Sequence, residues 1–235
     1  LGQLAEVAER TAAVLGDVEE ALDEPFDGVE LSKCTALEQN VLWEKQLISR
    51  ILLKNPAHRS AYISNDRSMS ILINEENHLR IQAMTAGFDL KTPYERASRV
   101  DDVFEAKLDF AFDEKLGYLT SCPTDLGTGL RASVMLHLPG LVYTENIGNI
   151  LNISPQIGLS MTAMYGEGAE SAGNVFAVAN KLSLGLTERE LSDNLRISVG
   201  EIVAQERRAR KSLMLYDKER IEDEVWRAYG VLHYA

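Results

Sequence analysis

Residues 68–84 read SMSILINEENHLRIQAM, and this stretch decides the fold. The apolar run 71–73 is followed by a polar turn and then by a return arm at 79–84. Short apolar segments on both sides of a polar turn are typical of a β-hairpin. Asn77 suits the turn because asparagine tolerates left-handed backbone angles. The stretch therefore predicts antiparallel β-structure.

Two interpretations of this turn stay open at this point. The charges of Glu75, Glu76 and Arg80 suit a solvated hairpin tip. They also suit a site that binds a guanidinium group and a phosphate together. Carboxylates match the donor fork of a guanidinium, and arginine binds phosphate oxygens through two hydrogen bonds. The rest of the sequence has to distinguish the two.

Apolar residues at helical spacing predict helices before and after the hairpin. The pattern predicts helices at 1–22, 35–53 (ended by Asn55–Pro56), 93–115, 187–214 and 217–228. A capping box at Thr187 and Glu190 opens the fourth of these. Period-two patterns predict further strands at 61–63, 130–138, 159–164 and 174–179. Helices that alternate irregularly with hairpins indicate an α+β fold, with an antiparallel sheet flanked by helices. The 235 residues are enough for one large domain or two small ones.

Composition excludes several classes of partner. The 235 residues include 36 acidic and 24 basic side chains, for a formal charge of −12, which disfavours nucleic acid and anionic membranes. The sequence contains no run of about 18 apolar residues, so no membrane span is predicted. Cys34 and Cys122 are too few for a disulfide framework and fit a reducing cytoplasm, although a bridge between this pair stays an alternative.

Two glycine-rich loops carry further candidates for a site. Residues 121–131, SCPTDLGTGLR, contain Cys122 and end at Arg131, a charge on an otherwise apolar strand that calls for an anionic partner. Residues 165–173, YGEGAESAG, add two carboxylates at Glu167 and Glu170. A buried, unreactive cysteine and a plain surface loop are the alternatives.

Taken together, these residue types favour one chemistry. Carboxylates, a thiol and arginines suit phosphoryl transfer to a guanidinium, which needs anions around the acceptor and cations around the phosphate. Zinc chemistry is not favoured, because the four histidines are scattered and no C-x-x-C pair exists.

Three motifs closely resemble the catalytic domain of the ATP:guanido phosphotransferases, which has a glutamine synthetase-like fold. They are NEENHLRIQ at 74–82, LTSCPTDLGTGLRASVMLHLP at 119–139 and YGEGAESAGNVFAVANKLSLG at 165–185. Gly168 and the segment RAYGVL at 227–232 resemble the protein-arginine kinase branch of that family.

The resemblance implies a role for each candidate residue. Catalytic roles fall to Glu76, Glu170 and Cys122, nucleotide binding to Arg80, Arg131 and His78, and substrate binding to Glu75 and Glu167. A structural role for His78 stays open beside this. The implied cofactors are ATP and Mg²⁺, with the metal held by phosphates and water rather than by protein ligands.

The implied activity is transfer of the γ-phosphate of ATP to arginine side chains of proteins in a cytoplasmic stress response. The implied partners are arginine-bearing protein substrates, an activator protein, a Clp protease and a second copy in a homodimer. Two alternatives remain: a catalytically weakened pseudokinase or binding module, and a kinase for free arginine or another guanidino metabolite.

The sequence also departs from the family pattern. Thr162 stands where relatives usually carry a phosphate-facing arginine, and Asn77 replaces their usual aspartate. An S-x-R-x-R strand, whose arginines bind nucleotide phosphates in the family, is not found. We therefore expect the chain to lack that N-terminal segment as well as the C-terminal helical domain of the protein-arginine kinases.

Overall fold

The hairpin predicted at 68–84 belongs to the first of two units into which the chain divides, Leu1–Leu126 and Gly127–Ala235. The computed structural model describes residues 2–54, 58–164, 166–167 and 170–234, with side chains for all of these except 166–167 and 170–172. The predicted helix end at Asn55–Pro56 lies outside the described residues. None of the described helices is both long and apolar enough to cross a membrane.

The first unit is built on an antiparallel sheet in the order β1-β2-β3-β4, with β5 and β6 forming a separate pair. The described helices are α1 (Gly2–Leu22), α2 (Ala36–Glu44), α3 (Arg50–Lys54) and α4 (Lys91–Glu105). The strands are β1 (Phe26–Glu30), β2 (Ser60–Ser64), β3 (Met69–Ile73), β4 (Leu79–Ala83), β5 (Phe112–Asp113) and β6 (Gly117–Tyr118).

Strand β3 is buried along its whole length because apolar clusters cover both faces of the sheet. The clusters share β3 but draw on different helices. The first contains Val14, Val18, Phe26, Met69, Ile71, Val100 and Phe104. The second contains Leu31, Leu47, Ile48, Leu52, Ala61, Ile63 and Leu72. A strand covered on both faces gives a continuous apolar run in the sequence, as 71–73 does.

The prediction of one helix at 35–53 was wrong. Helix α2 ends at Glu44 and α3 begins at Arg50. Between them Gln46 has a φ of +59°, in the left-handed region that no α-helix uses. This turn lets Leu47 and Ile48, only 1% and 3% exposed, enter the core. The apolar spacing continues across the break, so it mimics a single helix.

The helix predicted at 93–115 also ends earlier than expected, at Glu105 of α4. The segment that follows folds back as the hairpin β5–β6. The carboxylate of Asp113 accepts hydrogen bonds from the N–H groups of Lys115 and Leu116, at 2.9 and 3.0 Å. An acidic side chain that bonds its own following backbone stabilises a turn in competition with a helix.

The second unit contains a three-stranded antiparallel sheet in the order β7-β11-β8. The described strands are β7 (Ser133–His137), β8 (Leu159–Ala163), β9 (Gly166–Glu167), β10 (Glu170–Ser171) and β11 (Val175–Asn180). The helices are α5 (Pro139–Tyr143), α6 (Ile147–Ile153), α7 (Glu188–Tyr216) and α8 (Lys218–Tyr234). The sequence did not predict α5, α6 or β1.

Helix α7 confirms the predicted capping box. Thr187 Oγ1 accepts from the Glu190 N–H at 3.2 Å, and the Glu190 carboxylate accepts from the Thr187 N–H at 2.8 Å. The helix buries a stripe that consists of Leu191, Leu195, Val199 and Ile202. The α+β class with antiparallel sheets and flanking helices is thus confirmed.

Candidate active site

The tip of the hairpin is anchored by its first residue, Asn74, which has a φ of +57°. Its N–H donates to the carbonyl of His78 at 2.9 Å and closes the turn. Its buried side chain donates to the carbonyls of Leu4 in α1 and His58, at 2.9 and 2.8 Å. Asn77 lies in the turn as predicted, but the left-handed angle belongs to Asn74.

Glu75 and Arg80 form an ion pair inside the first unit. Arg80 Nη1 lies 3.0 Å from Glu75 Oε1, and the Glu75 side chain is only 2% exposed. Burial acts to raise the pKa of Glu75, but the charge of Arg80 and hydrogen bonds from Ser49, the Glu76 N–H and Arg80 hold that pKa below its ordinary value. Glu75 is therefore an ionised, buried carboxylate that fixes an arginine.

Glu76 points the other way at the same turn. Its side chain is exposed, whereas its neighbour's is buried. Its N–H donates to Glu75 Oε2 at 3.3 Å. The backbone around Glu76 is thus held from within the hairpin while the carboxylate faces outward, where it can meet a ligand. His78 is also exposed, and its carbonyl closes the turn.

The loop that carries the thiol is hydrogen-bonded to this turn, although the two are more than 40 residues apart in the sequence. The Ser121 N–H donates to Asn77 Oδ1 at 2.7 Å, and Ser121 Oγ donates to the carbonyl of Glu76 at 2.8 Å. Cys122 is the next residue. The structure therefore brings the loops of Glu76 and Cys122 together.

The thiol of Cys122 lies beside a hydroxyl that sequence reasoning missed. Its Sγ is 2.9 Å from Thr124 Oγ1, and its carbonyl accepts from Thr120 Oγ1 at 2.7 Å and from the Asp125 N–H at 3.0 Å. Cys122 and Cys34 are both free, so the alternative of a bridge between them is wrong. The pattern Cys-x-Thr in a turn was the available signal for Thr124.

Arg131 belongs to the second unit and is exposed. It lies just before β7, so the strand predicted from residue 130 begins three residues later. Asn180 holds the backbone on both sides of it: its Oδ1 accepts from the Ala132 N–H at 2.7 Å and its Nδ2 donates to the Leu130 carbonyl at 3.0 Å. A fixed backbone with an outward guanidinium suits the binding of an anion.

Gly127 owes its identity to packing within the second unit. Its φ is +111°, and an added Cβ would lie 2.9 Å from the Cα of Leu184. Glycines in a loop can allow close approach of a ligand to the backbone. At Gly127 the close approach is to the chain's own backbone, whereas an added Cβ at Gly129 would meet nothing within 4 Å.

The second glycine-rich loop is described only in part. The backbones of β9 and β10 pair antiparallel, with Glu167 opposite Glu170. The side chains of these two residues lie outside the described part of the structure, as does Gly168 entirely. Their predicted roles stay predictions.

Thr162 is exposed on β8, opposite Ala177 of β11. Among the described residues, no three His, Cys, Asp or Glu side chains come close enough together to hold a metal ion.

Comparison with known proteins identifies relatives in sequence. A profile described as the C-terminal catalytic domain of the ATP:guanido phosphotransferases matches residues 6–209. The protein-arginine kinase of Desulforamulus reducens is 47% identical over 220 residues, which cover 92% of this chain and 62% of that protein. The protein-arginine kinase of Halalkalibacterium halodurans is 50% identical over 194 residues, covering 83% and 54%.

Solved structures agree on the fold. The duplicated taurocyamine kinase of Schistosoma mansoni, solved with components of a transition-state analogue, superposes with a TM-score of 0.76 at 26% identity over 87% of this chain and 29% of that one. Lombricine kinase superposes with a TM-score of 0.74 at 25% identity, over 90% and 61%. The predicted guanido kinase fold is confirmed, and the chain spans between half and two thirds of the two curated relatives' length.

Proposed function

The chain belongs to the ATP:guanido phosphotransferase family, and we propose that residues 1–235 form the catalytic domain of a protein-arginine kinase. This domain transfers the γ-phosphate of ATP to arginine side chains of proteins. Relatives named protein-arginine kinase are 43–50% identical to it, whereas the taurocyamine and lombricine kinases are only 25–26% identical. This difference supports a protein substrate over a free guanidino metabolite.

One observation carries the proposal: two hydrogen bonds through Ser121 join the turn of Glu76 to the loop of Cys122. A guanidinium keeps its proton to beyond about pH 12 and is a poor nucleophile in water. A carboxylate and a thiol on two adjoining loops can orient it, and the carboxylate can take up its proton as the new N–P bond forms and the bond from the γ-phosphorus to the bridging oxygen breaks, which releases ADP. The exposed Glu76 is the proposed proton acceptor.

Each remaining candidate has a place in this scheme. Cys122, with the Thr124 hydroxyl beside it, tunes the charge at the acceptor, and Glu170 is the second carboxylate on the guanidinium. Arg80, Arg131 and His78 bind the nucleotide, and Glu167 contacts the substrate.

Glu75 acts through Arg80, because its buried carboxylate is bonded to that guanidinium. Bound with ATP, Mg²⁺ would supply positive charge that offsets the charge of the phosphates.

The proposed setting is the cytoplasm, in a stress response. Arginine-bearing proteins are the substrates, an activator protein and a Clp protease are partners, and a homodimer is the proposed assembly. The free thiols of Cys34 and Cys122 support a reducing compartment.

The test is a phosphorylation assay with the full-length protein, Mg-ATP and an unfolded arginine-rich protein. Phosphoarginine is measured by mass spectrometry under non-acidic conditions, and free arginine serves as a parallel acceptor. We expect product on the protein, loss of product with Glu76→Gln, and retention with the exposed control Glu44→Gln. Equal product from Glu76→Gln and the unchanged protein contradicts the assignment, and preferential use of free arginine selects the metabolite kinase.

Thr162 supports a second candidate, a weakened kinase that serves as a binding module. If its position matches the family's phosphate-facing arginine, one cation is missing from the transition state. Calorimetry with Mg-ATP separates the two candidates. Binding of an arginine-rich partner without nucleotide binding favours the module, and nucleotide affinity with turnover rejects it.

A further inference from the structure

Asn77 and Ser121 form a clamp between two loops that the folding chain has to bring together from distant positions. We use "clamp" for the two hydrogen bonds Ser121 N–H to Asn77 Oδ1, at 2.7 Å, and Ser121 Oγ to the Glu76 carbonyl, at 2.8 Å. One bond uses a side chain of the hairpin, and the other uses a side chain of the thiol loop. Removing either side chain therefore breaks one bond and leaves the other.

The clamp lies next in sequence to two of the residues proposed as catalytic. Glu76 precedes Asn77, and Cys122 follows Ser121. The other hydrogen bonds described around Cys122 are made with Thr120, Thr124 and Asp125 and stabilise the loop internally. They fix the shape of the loop but do not fix its distance from the hairpin. The clamp supplies that second constraint.

We propose that Asn77 is a positioning residue, which sets the place of the Cys122 loop against Glu76 through Ser121. This inference rests on the proposed kinase function. An amide oxygen accepts the Ser121 N–H without adding a charge beside Glu76, whose carboxylate is exposed on the same turn. A carboxylate at position 77 would accept the same bond. Asn77→Asp is therefore the conservative variant, and Asn77→Ala is the disruptive one.

The first readout measures the clamp without any catalysis. Hydrogen exchange of the Ser121 amide is followed by NMR in the unchanged protein, in both Asn77 variants and in the exposed helix control Asn194→Ala. In Asn77→Ala we expect exchange to accelerate at least about tenfold, because the acceptor is gone. Asn77→Asp and Asn194→Ala should retain protection. Unchanged protection in Asn77→Ala overturns the inference.

The second readout follows the thiol, in a Cys34→Ser background so that Cys122 alone reacts. The rate of alkylation by iodoacetamide should change at least about threefold in Asn77→Ala, because movement of the loop changes the exposure of the Cys122 thiol. In Asn77→Asp the rate should equal that of the unchanged protein. A rate that is the same in both variants and in the unchanged protein overturns the positioning role.

The third readout is turnover. Asn77→Ala should lower kcat about tenfold to a hundredfold, with the KM for Mg-ATP changed less than about twofold, since misplacement of reacting groups affects the chemical step. Asn77→Asp should recover most of the rate. An equal fall in both variants contradicts a role through the Ser121 bond. If the unchanged protein itself shows no turnover, the proposed function fails, and the exchange and alkylation results alone decide the inference.

Discussion

Arg80 Nη1 lies 3.0 Å from Oε1 of Glu75, and the carboxylate is 2% exposed while the arginine side chain is 42% exposed. A buried anion thus holds an arginine whose guanidinium still reaches the surface. Restricting an arginine before it binds an anion lowers the entropy lost on binding. This pair gives a physical reason for two adjacent glutamates in the hairpin, one buried for positioning and the other exposed.

Glu75→Gln should change how stability depends on pH. The pKa of Glu75 is below its ordinary value of 4.5, so its contribution is fully present above that value and is lost as the pH falls through the lower folded-state pKa. The variant should lose about 1 kcal/mol at neutral pH, a small value because Arg80 is partly exposed. As the pH falls below about 4.5, the free energy of unfolding of the variant should decrease less than that of the unchanged protein.

Urea unfolding at a series of pH values measures this effect. A second carboxylate, Asp66, also contributes to the acid sensitivity. Burial acts to raise the pKa of Asp66, but hydrogen bonds from Ser68 and Ser64 hold it well below its usual range. Asp66 is unchanged in the variant, so some acid sensitivity should persist. Parallel curves for Glu75→Gln and the unchanged protein contradict the assigned charge of Glu75.

Local patterns predicted the parts of the fold that local forces determine. The hairpin β3–β4 follows from one apolar run and one polar turn, and the start of α7 follows from the Thr187 capping box. The break after α2 does not follow from a local pattern. The left-handed turn at Gln46 is stabilised because neighbouring residues are buried in the core, and the sequence alone does not show which residues form that core. Tertiary burial overrides helical spacing there.

The candidate site was also predicted only in part from the sequence. Residue types and family resemblance selected Glu76 and Cys122, but nothing in the sequence pairs Asn77 with Ser121. That pairing depends on how the chain returns to the hairpin after β6. The burial of Glu75 beside the exposed Glu76 was equally hidden, because two adjacent glutamates in a turn look alike until the core is placed beneath one of them.

Asn74→Gly should destabilise the hairpin tip. Glycine keeps the φ of +57° at little cost but removes the donors to the carbonyls of Leu4 and His58. We expect a loss of about 1–3 kcal/mol in the free energy of unfolding, measured with urea. Asn74→Ala should lose about 1 kcal/mol more, because alanine is strained in the left-handed region. Equal stability of Asn74→Gly and the unchanged protein contradicts the anchoring role.

Glu206→Ala should be more damaging than most substitutions in α7. Its side chain is 5% exposed, and its carboxylate accepts from the N–H groups of Gly140 and Leu141, both at 2.9 Å, and from Arg210. Removing it leaves buried backbone donors at the start of α5 unpaired. We expect a loss of about 2–4 kcal/mol by urea unfolding.

Glu201→Ala is the matched control on the same helix. Glu201 is exposed and pairs with Arg208 at 3.0 Å. Such surface pairs contribute at most about 1 kcal/mol. A loss in Glu206→Ala no larger than the loss in Glu201→Ala contradicts the capping role of Glu206.

Thr162→Arg tests whether this position limits the proposed transfer. Thr162 is exposed on β8, so a longer side chain can be placed there without repacking the core. If a cation at this position contacts the transferring phosphate, a charge-assisted bond of about 1.5–3 kcal/mol should raise kcat/KM about tenfold to a hundredfold. Thr162→Gln supplies length without charge and should give no comparable gain. If Thr162→Arg and Thr162→Gln show the same turnover as the unchanged protein, threonine at this position does not limit catalysis, and the weakened-kinase candidate loses the observation that supports it.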